Sequence, residues 1–211
     1  MAGTGRLGEQ LARPRGLGGL LAGELLAWTN RGVNRWTLAL LALDAEARVL
    51  EIGFGPGVGV RLAAAVARRG LVAGVDPSAV MVRRARWRNR RALRQRRVDL
   101  RRAAVEALPW PAHTFTHAFS VNAFQEWPDL ERGLAEVARV LRPGGRLALT
   151  TQERQAVSAA DAAAGDEHTL AQMERAGFRE LRREWKPMRP RAAVCLLGRL
   201  GGGVAPKEGR V

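Results

Sequence analysis

The chain has 211 residues, 46% of them hydrophobic and 26% charged, a balance that fits one globular domain with a sizeable core and short ragged ends. A single cysteine, Cys195, excludes an internal disulfide and a multi-cysteine metal site, and His113, His117 and His168 show no metal-ligand spacing, so no metal is expected and a reducing, cytoplasmic setting fits. The net charge of +15 argues only weakly for nucleic acid, because all but two of the 35 basic residues, Lys186 and Lys207, are Arg, and an Arg-, Ala- and Gly-rich chain looks like the product of GC-rich coding.

No run of about 18 uncharged apolar residues occurs, so no membrane-spanning helix is expected. The segment GLGGLLAGELLAW, 16–28, is interrupted by Glu24 and lacks a small-residue cleavage site, so it reads as part of the folded protein. Leu17, Leu20, Leu21, Leu25 and Trp28 recur at helical spacing there, and TNRGVNRW follows. RVLEIG (48–53) and LVAGVD (71–76) are short β-branched runs, and VGVRLAAAVARRG between them reads as an amphipathic helix stopped by Gly70. SAVMVRRARWRNRRAL begins with Ser78 as N-cap and continues as one helix, with Val80, Met81, Ala85 and Ala92 as a narrow apolar stripe. It opens a basic stretch, residues 83–102, with eleven Arg against Asp99; a solvated helix face is the expectation, and a phosphate- or lipid-attracting face the alternative. RVDLR (97–101) and FTHAFSV (115–121) are further strands. PDLERGLAEVARVL (128–141) has one apolar helix face, RPGG breaks it, and RLALTT (146–151) is a fifth strand. A helix, DEHTLAQMERAG, and two strands, FRELRREW and AAVCLLGRL, complete the chain, with Cys195 as a buried small hydrophobe. Such alternation predicts an α/β sandwich with helices on both faces of a mostly parallel sheet, and ligands at the carboxyl ends of its strands.

One such end carries VLEIGFGPGVGV, 49–60. The dinucleotide fingerprint G-x-G-x-x-G would need glycine at 58 or 60, where Val58 and Val60 stand. What is present is Glu51 followed by Gly53, Gly55 and Gly57, with Asp76 at the end of the next strand. A carboxylate there can accept both hydroxyls of an adenosine ribose and repels a 2'-phosphate.

From VLEIGFGPG, VAGVDPSAVMVRRAR, VEALPWPAHTF, FSVNAFQEWPD and EVARVLRPGGRLALT, in that order over about 48–151, the chain resembles the class I S-adenosylmethionine-dependent methyltransferases, in particular the small bacterial members with a generic methyltransferase domain. The resemblance implies a three-layer Rossmann-like sandwich, with a seven-stranded, mostly parallel sheet whose last strand is antiparallel, and an N-terminal helical cap. It implies a helical segment at 1–45 belonging to the same domain, the cofactor-binding domain at 46–200, and a flexible tail at 201–211.

It further implies that Glu51 receives the α-amino group of S-adenosylmethionine. Gly53, Gly55 and Gly57 would admit the main chain close to methionine and ribose, with Phe54 and Pro56 shaping that loop. Asp76 would take the ribose hydroxyls, Pro77 and Met81 one face of the adenine, Val105 its edge, and Asn122 would stand beside the reactive methyl. Ala104 replaces the Asp that many relatives carry for the adenine amino group, so adenine recognition is expected to rest on backbone and packing. The expected reaction is in-line methyl transfer to a small-molecule acceptor, driven mainly by proximity and orientation. A base is optional; chain position offers only Glu126 and His117. The alternatives are RNA or protein methylation using the Arg-rich helix, and a cofactor-binding accessory protein without turnover. Acceptor contacts are expected from Asn30, Asn34, Gln125 and Trp127, with residues 17–36 as the substrate cover. A helix packed on the sheet, or one lying on a membrane surface beside Arg13, Arg15, Arg31 and Arg35, is the alternative for that segment.

Overall fold

The computed structural model describes residues 31–152 and 159–202. The segment 17–30 and the tail from 203 therefore lie outside the described residues, and Asn30 with them. After helix α1 (31–41) the order is β1 (Arg48–Ile52), α2 (Val58–Val66), β2 (Leu71–Val75), α3 (Ala79–Arg88), α4 (Arg90–Arg94), β3 (Val98–Arg101), β4 (Phe115–Val121), α5 (Leu130–Val140), β5 (Leu141–Gln152), α6 (Ala159–Arg175), β6 (Phe178–Lys186) and β7 (Ala193–Leu200). One seven-stranded sheet runs in the order β3-β2-β1-β4-β5-β7-β6. The pairs β1–β2, β2–β3, β1–β4 and β4–β5 are parallel, and β7 is antiparallel to both β5 and β6. The last strand is thus reversed, as expected.

Strand alternation sends neighbouring residues into two cores. Val49, Phe119, Ala148 and Cys195 pack under α1, α2 and α3 with Val33, Leu41, Val60, Ala63 and Ala85. Leu50, Ala118, Leu147 and Leu196 face the other way, onto Leu134, Val137 and Val140 of α5 and Met173 of α6. Small residues on α2, Gly59, Ala63 and Ala64, let that helix lie close to the sheet. Asp129 caps α5 by accepting from the Arg132 amide at 3.0 Å.

The Arg-rich segment differs from its expected single helix. It breaks at Asn89, whose buried side chain donates to Gly57 O at 3.0 Å and Ala85 O at 2.9 Å. The buried stripe is Val82, Ala85 and Asn89, while Val80 is 41% exposed. None of Arg83, Arg84, Arg86, Arg88, Arg90 and Arg91 is buried, in keeping with a solvated face. Trp87 stands 69% exposed among them, with the Arg90 guanidinium 5.2 Å from its ring centre.

The described part of the N-terminal segment is a core element. Val33, Leu38 and Leu41 are buried against the sheet, the Thr37 hydroxyl lies 2.8 Å from that of Thr150 on β5, and Arg146 donates to Leu41 O. Its first described turn carries Asn34 to the cavity at the carboxyl end of the sheet, while most of the segment 17–36, expected as a cover, lies outside the described residues. No helix among the described residues is long and apolar enough to cross a membrane.

Candidate active site

The chain leaves β1 towards β2 on one side and later returns through β4 to the other, so the crevice beyond β1 and β4 is where the strand order reverses, the place where open α/β sheets bind ligands. A cavity of about 410 Å³ lies there, lined by Asn34, Glu51, the loop 53–56, Gly59, Met81, Asn122 and Gln125 among others. Its floor is the glycine loop. Gly53, Gly55 and Gly57 have φ of 73°, 50° and 78°, the left-handed region that side chains disfavour, so the turn needs glycine for its path. The loop is held from three sides: the Gly53 amide donates to Val75 O at 2.9 Å, the Gly55 amide to Asp76 Oδ2 at 2.8 Å, and Asn89 grips Gly57 O.

Glu51 is 3% exposed at the back of this cavity. A Cβ on Gly59 would collide with Glu51 Oε1 and Asn34 Oδ1, so the bare backbone of α2's first turn is what makes room for both side chains. The Val60 amide donates to the Glu51 carboxyl, but Oε2 has no hydrogen-bond partner among the described residues. Burial raises the Glu51 carboxyl well above the usual carboxylate range, the Val60 amide opposes this, and the Asp76 charge adds to it. A buried acid with one unanswered oxygen, in the lining of a cavity, has the chemistry to receive a cation.

Asp76 is 7% exposed and turned onto the protein: besides Gly55, it accepts from the Ser78 amide at 2.8 Å. Burial raises its carboxyl, and these two amides lower it. Neither Asp76 nor Pro77, Ala104 and Val105 lines the cavity. They follow the ends of β2 and β3 beside it, where Arg102 donates to Pro77 O and the Asp76 amide to Arg101 O; Val105 is buried against α5. Asn122 has φ 55° and is locked to Gln152 twice, accepting from its amide at 2.8 Å and donating to its Oε1 at 3.2 Å.

A second cavity, about 920 Å³, opens between α6, the stretch 124–130 and the turn from β6 to β7. Its apolar walls include Phe124, Trp127, Leu130, Met188 and Val194, and its polar ones Asp161, Asp166, His168, Thr169 and Arg183. Gln125, Thr151, Gln152, Pro190 and Arg191 line both cavities.

These observations sort the sequence expectations. Glu51, Gly53, Phe54, Gly55, Pro56, Met81, Asn122 and Asn34 meet in the first cavity, Trp127 lies in the second, and Gln125 in both. Gly57 is the N-cap of α2 beneath the loop. His117, mid-strand beside Thr116, lines neither cavity, and burial, helped by the Arg146 charge, lowers its imidazole below the ordinary value. Glu126 lines neither. Trp110 is a core residue, edge-on to Phe115 and donating to Asp99. Sequence reasoning missed Asn89, Gln152, Pro190 and Arg191. A lone Asn in an arginine run and a Gln directly after RLALTT were the available signals; Pro190 and Arg191 had none.

The sequence profile described as "Methyltransferase domain" matches residues 50–149, from β1 to β5, the stretch that supplies most of the first cavity's lining. Over this stretch the chain carries a methyltransferase domain. It is 29% identical over 83% of its length to "Uncharacterized methyltransferase YdaC" of Bacillus subtilis, covering 96% of that protein. It is 37% identical over 52% of its length to "27-O-demethylrifamycin SV methyltransferase" of Amycolatopsis mediterranei, and spans only 40% of that protein. In fold it is similar to the crystal structure of "a SAM dependent methyltransferase from Aquifex aeolicus", with a TM-score of 0.66 and 21% identity, covering 79% of this chain and 89% of that one. The methyltransferase therefore uses S-adenosylmethionine as cofactor and carries its methyl to an acceptor. Its own residues fit that cofactor: an unanswered buried carboxylate oxygen suits the ammonium of the methionine part, and a turn with glycine at 53, 55 and 57 lies beside it.

Proposed function

We propose that this methyltransferase moves the cofactor's methyl to a small-molecule acceptor bound in the second cavity. The observation that carries this is the shared rim: Gln125, Thr151, Gln152, Pro190 and Arg191 border both cavities, so two ligands can meet there without either being macromolecular. The printed name of the Amycolatopsis relative, a methyltransferase of a small natural product, supports the same class of acceptor.

In this reading Glu51 binds the amino group, with Asn34 beside it, and Gly53, Phe54, Gly55 and Pro56 shape the methionine pocket over Gly57. Asp76 reaches the ribose only by trading one of its two loop hydrogen bonds, while Pro77, Met81, Ala104 and Val105 border the adenine. The cofactor supplies an electrophilic methyl on a sulfonium. Asn122, fixed by Gln152, and the rim residues orient the acceptor against it, and Phe124, Trp127 and Leu130 exclude water. Holding two partners in line replaces a bimolecular encounter, which can supply about 7–11 kcal/mol of the barrier. The segment 1–45 belongs to the same domain, α1 contributing Asn34 to the donor side.

Incubation with methyl-labelled cofactor and a bacterial metabolite extract tests this. Label is expected in the low-molecular-weight fraction. Label only in protein or RNA would end the small-molecule reading.

A further inference from the structure

Where the two cavities meet, the side chains are an amide at Gln125, a hydroxyl at Thr151, an amide at Gln152, the Pro190 ring and the Arg191 guanidinium. Among the described residues this rim carries no carboxylate, imidazole or thiol, and its ionisable group there is a permanent cation. In the second cavity Asp166 is paired with Arg183 at 2.7 Å; Asp161 and His168 belong to α6, and His168 Nε2 contacts Gln172 at 2.7 Å.

Arg191 differs from Arg183 in having no carboxylate. Its guanidinium makes no hydrogen bond or ion pair among the described residues, although Arg139, Arg183 and Arg199 are each paired. Its backbone is nevertheless anchored: Arg191 O accepts from Gln152 Nε2 at 3.4 Å, and Gln152 is tied to Asn122 at the edge of the donor cavity. Arg191 is exposed, and an exposed guanidinium without a protein partner at the meeting point suits an anion on the acceptor close to its reacting atom.

We infer that the acceptor is a carboxylic acid with an apolar body, methylated on a carboxylate oxygen that Arg191 holds at the junction of the cavities. This rests on the small-molecule reading above. Methyl transfer to a carboxylate needs no base: the methyl–sulfur bond of the donor breaks with its electrons left on sulfur, and a carboxylate lone pair forms the new oxygen–methyl bond. The positive charge of the sulfonium and the negative charge of the carboxylate cancel, giving a neutral thioether and a methyl ester, and no proton moves. Phe124, Trp127, Leu130, Met188 and Val194 face the apolar body.

The deciding experiment uses the full chain, methyl-labelled S-adenosylmethionine and a bacterial metabolite extract, followed by mild alkali. A methyl ester releases its label as volatile methanol, whereas ether, amine and carbon-bound methyls keep it. The expected result is alkali-labile label in small molecules, lowered ten- to a hundredfold in kcat/KM by Arg191→Ala and partly restored by Arg191→Lys. Calorimetric affinity for S-adenosylhomocysteine should stay within about twofold in R191A, since the arginine acts on the acceptor. Alkali-stable label in small molecules would overturn the carboxylic-acid inference and leave the small-molecule reading standing. Absence of small-molecule label would remove both. Unchanged turnover in R191A with alkali-labile label would remove the role of Arg191.

Discussion

Glu51→Gln separates what the buried carboxylate costs the empty protein from what it gives the loaded one. Glu51 is 3% exposed, takes the Val60 amide, and leaves Oε2 without a partner among the described residues. Its carboxyl is raised by burial first and by the Asp76 charge besides. The folded chain thus holds this proton more tightly than the unfolded chain, so the stabilising proton is fully bound below the unfolded value and the benefit is lost as pH rises through the raised one. Glutamine cannot ionise and escapes that loss. An unsatisfied buried group costs roughly 1–3 kcal/mol; recovering about 1 kcal/mol would raise the Tm of a chain this size by about 2–4 °C at neutral pH. Binding moves the other way, because an ammonium ligand favours the ionised acid. Losing a charge-assisted hydrogen bond removes about 1.5–3 kcal/mol, or roughly ten- to a hundredfold in affinity for S-adenosylhomocysteine. The parent should also bind more tightly as pH rises through the raised Glu51 value, releasing a proton measurable by calorimetry in buffers of different ionisation enthalpy, whereas E51Q should show no such release. Equal affinity in the two proteins, or proton release persisting in E51Q, would refute this account of Glu51.

Asn89→Ala removes the clamp on Gly57 O and should cost about 1–2 kcal/mol in chemical denaturation while weakening S-adenosylhomocysteine severalfold; unchanged affinity would show that the loop holds itself. Asp76→Ala deletes the acceptor of both the Gly55 and Ser78 amides, so Tm and cofactor affinity should fall together, the latter about ten- to a hundredfold; calorimetry giving the parent's dissociation constant would take Asp76 out of the site. Arg83→Ala, Arg90→Ala, Arg91→Ala and Arg94→Ala combined, all at exposed positions, should leave methyl transfer at the parent rate and Tm nearly unchanged, and a salt-sensitive loss of activity would instead favour a polyanionic acceptor. Cys195, the chain's one thiol, is buried and pushed up to about 12, chiefly by burial, so iodoacetamide at pH 8 should label it only after denaturation.

Much of the fold was legible because its signals are local. Glycine at 53, 55 and 57 with Val58 and Val60 fixes a left-handed turn of one spacing, and β-branched runs alternating with helical periods already imply a parallel sheet. Glu51, Asn122 and Asp76 could be named because each stands within one residue of a strand's carboxyl end, and such ends converge on one edge of the sheet. The break at Asn89 was hidden in an arginine run, since no local rule says that one asparagine will leave its own helix to grip a carbonyl at Gly57. The two-cavity arrangement was equally out of reach, because Arg191 joins Gln152 and Gln125 only after β7 folds back antiparallel between β5 and β6. Sequence alone determined most of the donor side, because the stretch from β1 to β4 supplies most of its lining. Tertiary structure decided the acceptor side, where charge and depth arise from segments that meet only in the folded chain.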